Sequence, residues 1–132
     1  MQFAHARAAY RQTEKATPPT AADPYEIIRE TLRELSRALQ VLAEAQDKGQ
    51  LMPPDPMNRG LTAVYILQSS LDFEKGGEIA QDLFQLYEFV RYHLLAAFRG
   101  ETDARLHDAA AAMIEILSAW QDIGPAAKTS LA

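Results

Sequence analysis

The spacing of apolar residues restricts the fold of this chain more than any other feature, because they recur every three or four positions in each long segment. That spacing places apolar side chains along one face of an α-helix, and no segment shows the sustained alternation of a half-buried β-strand. Proline and glycine interrupt the pattern at 17–20, 49–56, 75–77, 100–102 and 124–125. The pattern therefore predicts an all-α protein with four helices between these breaks.

The four predicted helices run from Pro24 to about Lys48, from Asp55-Pro56 to about Ser70, from about Gly77 to Gly100, and from after Thr102 to Ile123. Asp23 and Asp55 each precede a proline, which is the pattern of an N-cap followed by the first helical residue. Short connections favour an antiparallel up-down four-helix bundle. We expect a single domain over 1–132, with a short helical or extended lid segment and loop at 1–22, the bundle at 23–124 and a flexible tail at 125–132.

Composition excludes several classes of function. The chain has 13 Lys and Arg against 18 Asp and Glu, a formal net charge of −5, and no basic run, so it is a poor match for the cationic surface that nucleic-acid binding requires. It has no cysteine, which excludes thiol nucleophiles and disulfides. No apolar run approaches the ~18 residues of a membrane span, and the first residues do not form a signal-peptide pattern. We expect a cytoplasmic protein that does not insert into membranes.

Sites for metal or acid/base chemistry are not predicted. The histidines lie on different predicted elements, without paired metal-ligand spacing: His5, His93 and His107. Asp103 and His107 are four residues apart, and a capping acid near a surface histidine explains them better than a cation site. A four-helix metal-carboxylate enzyme would need Glu-x-x-His pairs, and no glutamate precedes a histidine by three residues. We therefore predict no enzymatic activity and no cofactor.

The third predicted helix has more apolar surface than packing on one neighbour requires. Two adjacent stripes cover roughly 180° of its circumference, against the ~100° needed to dock one face on a core. They consist of Ile79, Leu83, Leu86, Val90 and Leu94, and of Phe84, Tyr87, Leu95 and Phe98. Either this is the most buried helix of the bundle, or part of the arc is a groove for a partner helix. The N-terminal segment, with Phe3 and Tyr10, is suited to cover such a groove.

Several motifs together resemble those of a known family. Residues 71–80 read L-D-F-E-K-G-G-E-I-A, and 83–89 follow as L-x-x-L-Y-x-F. Residues 23–28 read D-P-Y-E-I-I, and Ala9-Tyr10 and Ala119-Trp120 lie near the two ends of the chain. The set resembles the flagellar secretion chaperone family, FliS, in which the L-D-F/x-E-x-G-G-E-I-A run joins two helices and S-P-Y-x-L-I begins the first long helix. The resemblance covers nearly the whole chain.

The resemblance implies a chaperone whose client, the protein that it holds before export, is flagellin. It implies binding of the disordered C-terminal region of flagellin as helices, which prevents premature polymerisation, and delivery to the flagellar type III export gate, a component of which is a further expected partner. Binding of a helix in a groove derives its affinity from apolar burial. The free protein is expected to be a monomer or a weak homodimer. The candidate client-binding residues are Tyr10, Tyr25, Ile28, Leu32, Leu71, Phe73, Ile79, Leu83 and Tyr87, and core packing is the alternative interpretation of each.

One stretch departs from the family pattern. Where the family has apolar residues and then Y-D-G-A, residues 29–35 read R-E-T-L-R-E-L, and Glu34 replaces the small glycine. A glycine inside a helix commonly permits close approach of another backbone. The change improves helix propensity and implies a different docking geometry, a specialised flagellin or another client. The alternative prediction is therefore an interaction module of the same fold that binds a different secreted or regulatory protein.

Overall fold

Four helices make up the structure, a computed structural model that describes residues 23–124. They are α1 (Pro24–Asp47), α2 (Pro54–Ser69), α3 (Phe73–Phe98) and α4 (Leu106–Ile123). The described residues contain no β-strand, so the predicted all-α fold is confirmed. The predicted lid segment at 1–22 and the predicted tail at 125–132 lie outside the described residues.

The starts of α1 and α2 differ in how they are capped. Asp23 caps α1 as predicted, because its side chain accepts a hydrogen bond from the Glu26 N–H at 3.0 Å. The prediction that Asp55 caps the second helix is wrong, since α2 already begins at Pro54 and Pro53 occupies the N-cap position. The N–H groups of the first helical turn have no partner within the helix. The turn therefore tolerates proline, which has no N–H. Asp55 lies inside that turn, where the helix dipole favours a negative charge.

Helix α3 begins one turn earlier than the spacing predicts. The Asp72 side chain accepts hydrogen bonds from the N–H groups of Glu74 and Lys75 at 3.0 and 3.1 Å, and so starts a first turn. Gly77 then interrupts the helix with a φ of 51° and a ψ of −125°, and the helix continues to Phe98. The predicted start at about Gly77 therefore corresponds to a kink, because glycine adopts this backbone conformation without steric cost.

Helix α4 begins at Leu106, later than the predicted start after Thr102, and its N-cap is Arg105 rather than an acid. The preceding residues are held by other helices. The Arg105 N–H donates to Nδ1 of His93 on α3 at 2.9 Å. The amide of Gln46 on α1 donates to the Ala104 carbonyl at 2.9 Å. Because backbone groups before Leu106 bond to side chains elsewhere, this stretch does not become another helical turn.

The core runs the length of the bundle. Helix α1 packs against α2 and α4, and α3 completes the bundle by packing against the same two helices. The predicted spacing of apolar residues is confirmed for α1, where Leu32, Leu35, Leu39 and Leu42 recur every three or four positions and are completely buried. The other helices contribute the buried side chains Met57, Val64, Leu67, Val90, Leu94, Leu106 and Met113. A core of this kind provides most of the stability of helices that are marginal in isolation.

Consecutive helices alternate in direction. Gln46 near the end of α1 contacts Ala104 just before α4, whereas Tyr25 at the start of α1 contacts Trp120 near the end of α4. Helices α1 and α4 therefore run antiparallel. One end of the bundle gathers the start of α1, the end of α2, the start of α3 and the end of α4.

Candidate protein-binding groove

An apolar cavity of about 60 Å³ lies at the end of the bundle where α1 begins and α4 ends. Every helix contributes to its wall, which also includes the turn between α2 and α3. The lining residues are Ile28, Leu32, Leu67, Ser70, Leu71, Gly76, Ile79, Ala80, Leu83, Tyr87, Ile116 and Trp120. The wall is almost entirely apolar, which is the chemistry of a surface that binds another apolar group.

Six of the nine residues predicted from the sequence line this cavity, although they come from three separate parts of the chain: Ile28, Leu32, Leu71, Ile79, Leu83 and Tyr87. Two others lie outside its lining. Tyr25 stacks on Trp120, and Phe73 packs against Phe84 with 6.0 Å between ring centroids. Tyr10 lies outside the described residues. The fold thus brings together most of the predicted set at one end of the bundle.

Exposure divides the lining residues into a floor and a mouth. Leu32 and Tyr87 are 0% and 3% exposed, so they form the floor and also belong to the core. Ile79 is 57% exposed, and Ile28, Leu83 and Ile116 are half-buried beside it. We call the cavity together with these four mouth residues the apolar groove. The apolar excess on α3 is therefore buried at Val90 and Leu94 and exposed at Ile79.

Tyr87 is a neutral group in the floor of the groove. Burial raises the pKa of its phenol well above the usual range, because ionisation would leave a charge in an apolar environment. A side chain this buried contributes to stability whatever else it does, and substitution by a charged residue would disrupt the core. Ile79, rather than Tyr87, is the residue whose substitution tests binding separately from folding.

Trp120 lines the cavity although it is not among the candidate residues predicted from the sequence. Its ring stacks on Tyr25 with 5.3 Å between centroids and an angle of 13° between the planes. Ile116 precedes it by four residues on α4 and lines the same wall. Residues four apart lie on one face of a helix. The four-residue spacing of Ile116 and Trp120 therefore indicates that they share a face of α4. The same spacing is typical of residues that pack in a core, so it does not identify a groove.

Two glycines shape the wall at the start of α3. A Cβ added to Gly76 would lie 2.8 Å from the Cβ of Ala80, so only glycine fits at position 76 without movement. At Gly77 a Cβ would meet no atom within 4 Å, and the positive φ alone accounts for glycine there. The Gly-Gly pair therefore creates the kink and keeps the cavity open beside Ala80.

Three residues of the stretch 29–35 that departs from the family pattern, Glu30, Thr31 and Glu34, line a different groove. This α1–α2 groove of about 450 Å³ is lined by charged side chains, Glu30, Glu34 and Arg59, as well as by apolar surface. Glu34 lies 3.7 Å from the Arg59 guanidinium and so forms an ion pair between the two helices. Leu32, from the same stretch, still points into the core and lines the apolar groove. The charge changes therefore leave the lining of the apolar groove intact.

The histidine and acidic side chains of residues 23–124 are dispersed over the bundle. No three histidine or acidic side chains come together there as a set that could hold a metal ion. His107 is joined to Asp47 on α1 at 2.8 Å, and Asp103 is not the helix cap that we expected. No helix in this part of the chain is long and apolar enough to cross a membrane.

Comparison with known proteins identifies the family. The family model described as flagellar protein FliS matches residues 6–127, which include the whole bundle and both sides of the apolar groove. The chain belongs to the FliS family. The family resemblance predicted from residues 71–80 and 83–89 is thereby confirmed.

Three relatives support this assignment. The flagellar secretion chaperone FliS of Vibrio cholerae is 29% identical over 118 residues, which cover 89% of this chain and 87% of the relative. The chaperone FliSB of Pseudomonas aeruginosa is 27% identical and covers 86% and 91%, respectively. FliS of Salmonella typhimurium is 26% identical and covers 90% of both chains. No solved structure matches the chain significantly.

Membership in the FliS family, together with relatives named as flagellar secretion chaperones, supports a role as a flagellar export chaperone. Such a role implies a secreted flagellar protein as partner.

Proposed function

We propose that this protein is a cytoplasmic export chaperone whose client is flagellin. It holds the disordered C-terminal region of flagellin as amphipathic helices, one of which occupies the apolar groove. Burial of apolar surface provides the affinity, and ordering of the flagellin segment offsets part of it. The complex prevents premature polymerisation and delivers flagellin to the flagellar type III export gate.

The observation that carries this proposal is the exposure of Ile79 above an apolar cavity in a bundle of the FliS family. A partner that covers a branched aliphatic side chain that is 57% exposed removes apolar surface from water, and this burial favours binding. The half-buried Ile28, Leu83 and Ile116 extend the same surface onto three helices. A helix that covers this surface would bury all four mouth residues together.

The N-terminal segment is proposed as a lid for the free protein. Residues 1–22 lead into α1 at Asp23, which lies two residues before Tyr25 and therefore beside the groove end of the bundle. Deletion of residues 1–15, including Tyr10, should leave the helical circular dichroism unchanged and alter the Kd for flagellin. Loss of the helical signal on deletion would contradict a lid and indicate a structural role.

A second candidate function is an interaction module of the same fold with another secreted or regulatory client. Glu30 and Glu34 favour this candidate, because they give the α1–α2 groove a charged lining where the family pattern is apolar. A client that wraps around the bundle would contact the α1–α2 groove as well as the apolar groove. Failure to bind flagellin from the same organism would make this candidate the leading one.

Calorimetric titration with monomeric flagellin tests the proposal. We expect tight binding of intact flagellin, with a large negative heat-capacity change from apolar burial and coupled folding. Flagellin that lacks its disordered C-terminal region should not bind. Equal binding of the two forms of flagellin would overturn the proposed binding mode.

A pair of matched variants locates the binding surface. Ile79→Asp places a charge at the mouth of the groove and should weaken flagellin binding at least tenfold, with little loss of stability because the site is exposed. Val41→Asp is the control, since Val41 is 46% exposed and lies near the end of α1, away from the groove. If both variants bind flagellin as the native protein does, the client does not occupy this groove.

A further inference from the structure

The Tyr87 hydroxyl is a polar group without a partner in the floor of the apolar groove. Tyr87 is 3% exposed and lines the cavity, and its hydroxyl forms no hydrogen bond with any described residue. Buried polar groups are paired in the great majority of cases, and an unpaired one costs the free energy of its desolvation. Phenylalanine would fill the same space without this cost, so packing alone does not account for the hydroxyl.

The hydroxyl remains accessible from the cavity. Ser36 Oγ on α1 is the one side-chain polar atom of residues 23–124 that is both fully enclosed and unpaired. The hydroxyl of Tyr87 is also unpaired and therefore keeps some accessible surface, and the cavity is the space that Tyr87 lines. A group that enters the cavity can reach this oxygen.

The other side-chain donors of the cavity lining are already used. The Ser70 hydroxyl donates to the Ile66 carbonyl at 2.6 Å, and the Trp120 indole N–H donates to the Tyr25 carbonyl at 3.2 Å. None of the lining residues carries a charge. Tyr87 therefore offers the one side-chain proton of the lining that no described residue accepts.

The apolar wall restricts the chemistry of the group that pairs with this proton. Burial raises the pKa of the Tyr87 phenol, so the hydroxyl stays protonated and can donate. A carboxylate or an ammonium group would lose its hydration in the cavity without meeting an opposite charge, which is costly. Backbone carbonyls inside a helix already accept from N–H groups one turn later. The acceptor that remains is the amide of asparagine or glutamine, or the hydroxyl of serine or threonine.

We infer that the Tyr87 hydroxyl donates a hydrogen bond to a neutral amide or hydroxyl side chain of the client helix, and that this bond determines which client segment the groove accepts. The inference rests on the proposed function, because the acceptor belongs to the client. Apolar contacts with the mouth residues discriminate weakly between similar amphipathic helices. A buried hydrogen bond discriminates strongly, because a client without an acceptor at that position leaves the hydroxyl unpaired.

The test removes this hydroxyl and nothing else. Tyr87→Phe keeps the aromatic ring in the core, whereas a charged residue would not. Tyr65→Phe is the control for binding, because it makes the same change on α2 at a side chain that is 71% exposed and does not line the cavity. Tyr25→Phe is the control for stability, because its hydroxyl has a partner in the free protein. The Kd for intact flagellin and the midpoint of urea denaturation are measured for the three variants and the native protein.

Tyr87→Phe should raise the Kd about tenfold, because the acceptor of the client is left buried and unpaired. Its urea midpoint should equal or exceed that of the native protein, whereas Tyr25→Phe should lower the midpoint and Tyr65→Phe should change neither quantity. A native Kd for Tyr87→Phe would overturn the inference while the proposed function stands. A midpoint lowered as far as in Tyr25→Phe would also overturn it, since the hydroxyl would then have a partner in the free protein. If the native protein does not bind flagellin, the proposed function fails and the inference fails with it.

A double-mutant cycle identifies the acceptor. Each serine, threonine, asparagine and glutamine in the C-terminal region of flagellin is replaced by alanine, and each variant is titrated against the native chaperone and Tyr87→Phe. One alanine variant should lose affinity for the native chaperone and lose little further affinity for Tyr87→Phe, because the two changes remove the same bond. Additive losses at every position would overturn the inference.

Discussion

Tyr25 and Trp120 hold each other through two hydrogen bonds that run in opposite directions. The Tyr25 hydroxyl donates to the Trp120 carbonyl at 3.1 Å, and the Trp120 indole N–H donates to the Tyr25 carbonyl at 3.2 Å. The two rings stack between these bonds. The pair joins the start of α1 to the end of α4 beside the apolar groove, so it fixes one side of the proposed binding surface.

Removal of the polar group from either member of this pair should be destabilising. Trp120→Phe and Tyr25→Phe each delete one hydrogen bond and keep an aromatic ring, and each should lower the free energy of unfolding by about 1 kcal/mol, more for the larger tryptophan. Urea denaturation of the two single variants and the double variant measures these costs. We expect the costs to add, because each variant removes a separate bond. A double variant no less stable than the worse single one would mean that neither bond forms without the other.

The cap of α3 should contribute more than an exposed cap does. Asp72 is buried, and its side chain accepts from two backbone N–H groups, so Asp72→Ala should cost about 1–2 kcal/mol of stability. Asp72→Asn should recover much of this loss, because the amide oxygen also accepts hydrogen bonds. Denaturation followed by circular dichroism compares the two variants. Equal losses in both would assign the effect to the charge of Asp72 rather than to capping.

Gly77→Ala should be destabilising through the backbone alone. The added Cβ would meet no atom within 4 Å, but the residue would have to hold a φ of 51° with a ψ of −125°. Such strain costs about 1–3 kcal/mol for a residue other than glycine. Chemical denaturation gives the cost directly. A loss well below about 0.5 kcal/mol would mean that residue 77 relaxes into ordinary helix and that the kink depends on other residues.

Glu88 should make stability depend on pH in the acid range. Hydrogen bonds from Arg91, and a further one from Gln68 on α2, lower the pKa of its carboxyl below the usual value. Because the native pKa is depressed, the stabilisation is present above the unfolded pKa of about 4.3 and is lost as the pH falls through the native pKa. Glu88→Gln should therefore be less stable than the native protein at pH 7, by about 0.2–0.5 kcal/mol.

The pH profile of that difference is the measurement. Unfolding of the native protein and Glu88→Gln is compared between pH 7 and pH 3, and the difference should shrink toward the acid end. In an Arg91→Gln background the same comparison should vary less with pH, since the main cause of the shift is gone. A difference that stays constant across this range would contradict a role for ionised Glu88 in stability.

Local signals in the sequence predicted the fold well where they agreed with one another. The apolar spacing of α1 and the cap at Asp23 were predicted correctly, because helical period and capping chemistry indicated the same helix. At Asp55 the same capping pattern was misleading, since two neighbouring prolines let the helix begin before it. The start of α4 was also misplaced, because Gln46 and His93 on other helices bind the preceding backbone. Such long-range bonds leave no periodic signal in a single sequence.

Most residues of the candidate groove could be predicted from the sequence, but the exposure of each side chain could not. The spacing on α3 indicated a surplus of apolar surface, and the family motifs directed attention to residues 71–80. Neither the spacing nor the motifs could show that Ile79 is exposed at the mouth and Tyr87 is buried in the floor. Both residues belong to the apolar face of one helix, and only the packing of the other helices determines their exposure. The exposure of Trp120 could not be predicted for the same reason.

The antiparallel order of the four helices also determines where the polypeptide can be extended. Asp23 caps the start of α1 and Gly124 the end of α4, and both lie within a few residues of the Tyr25–Trp120 pair. A fusion partner joined directly before Asp23 or directly after Gly124 would therefore be tethered beside the groove and would compete with whatever binds there. The loop at 48–53 lies at the opposite end of the bundle, and a label inserted there would leave the groove unobstructed.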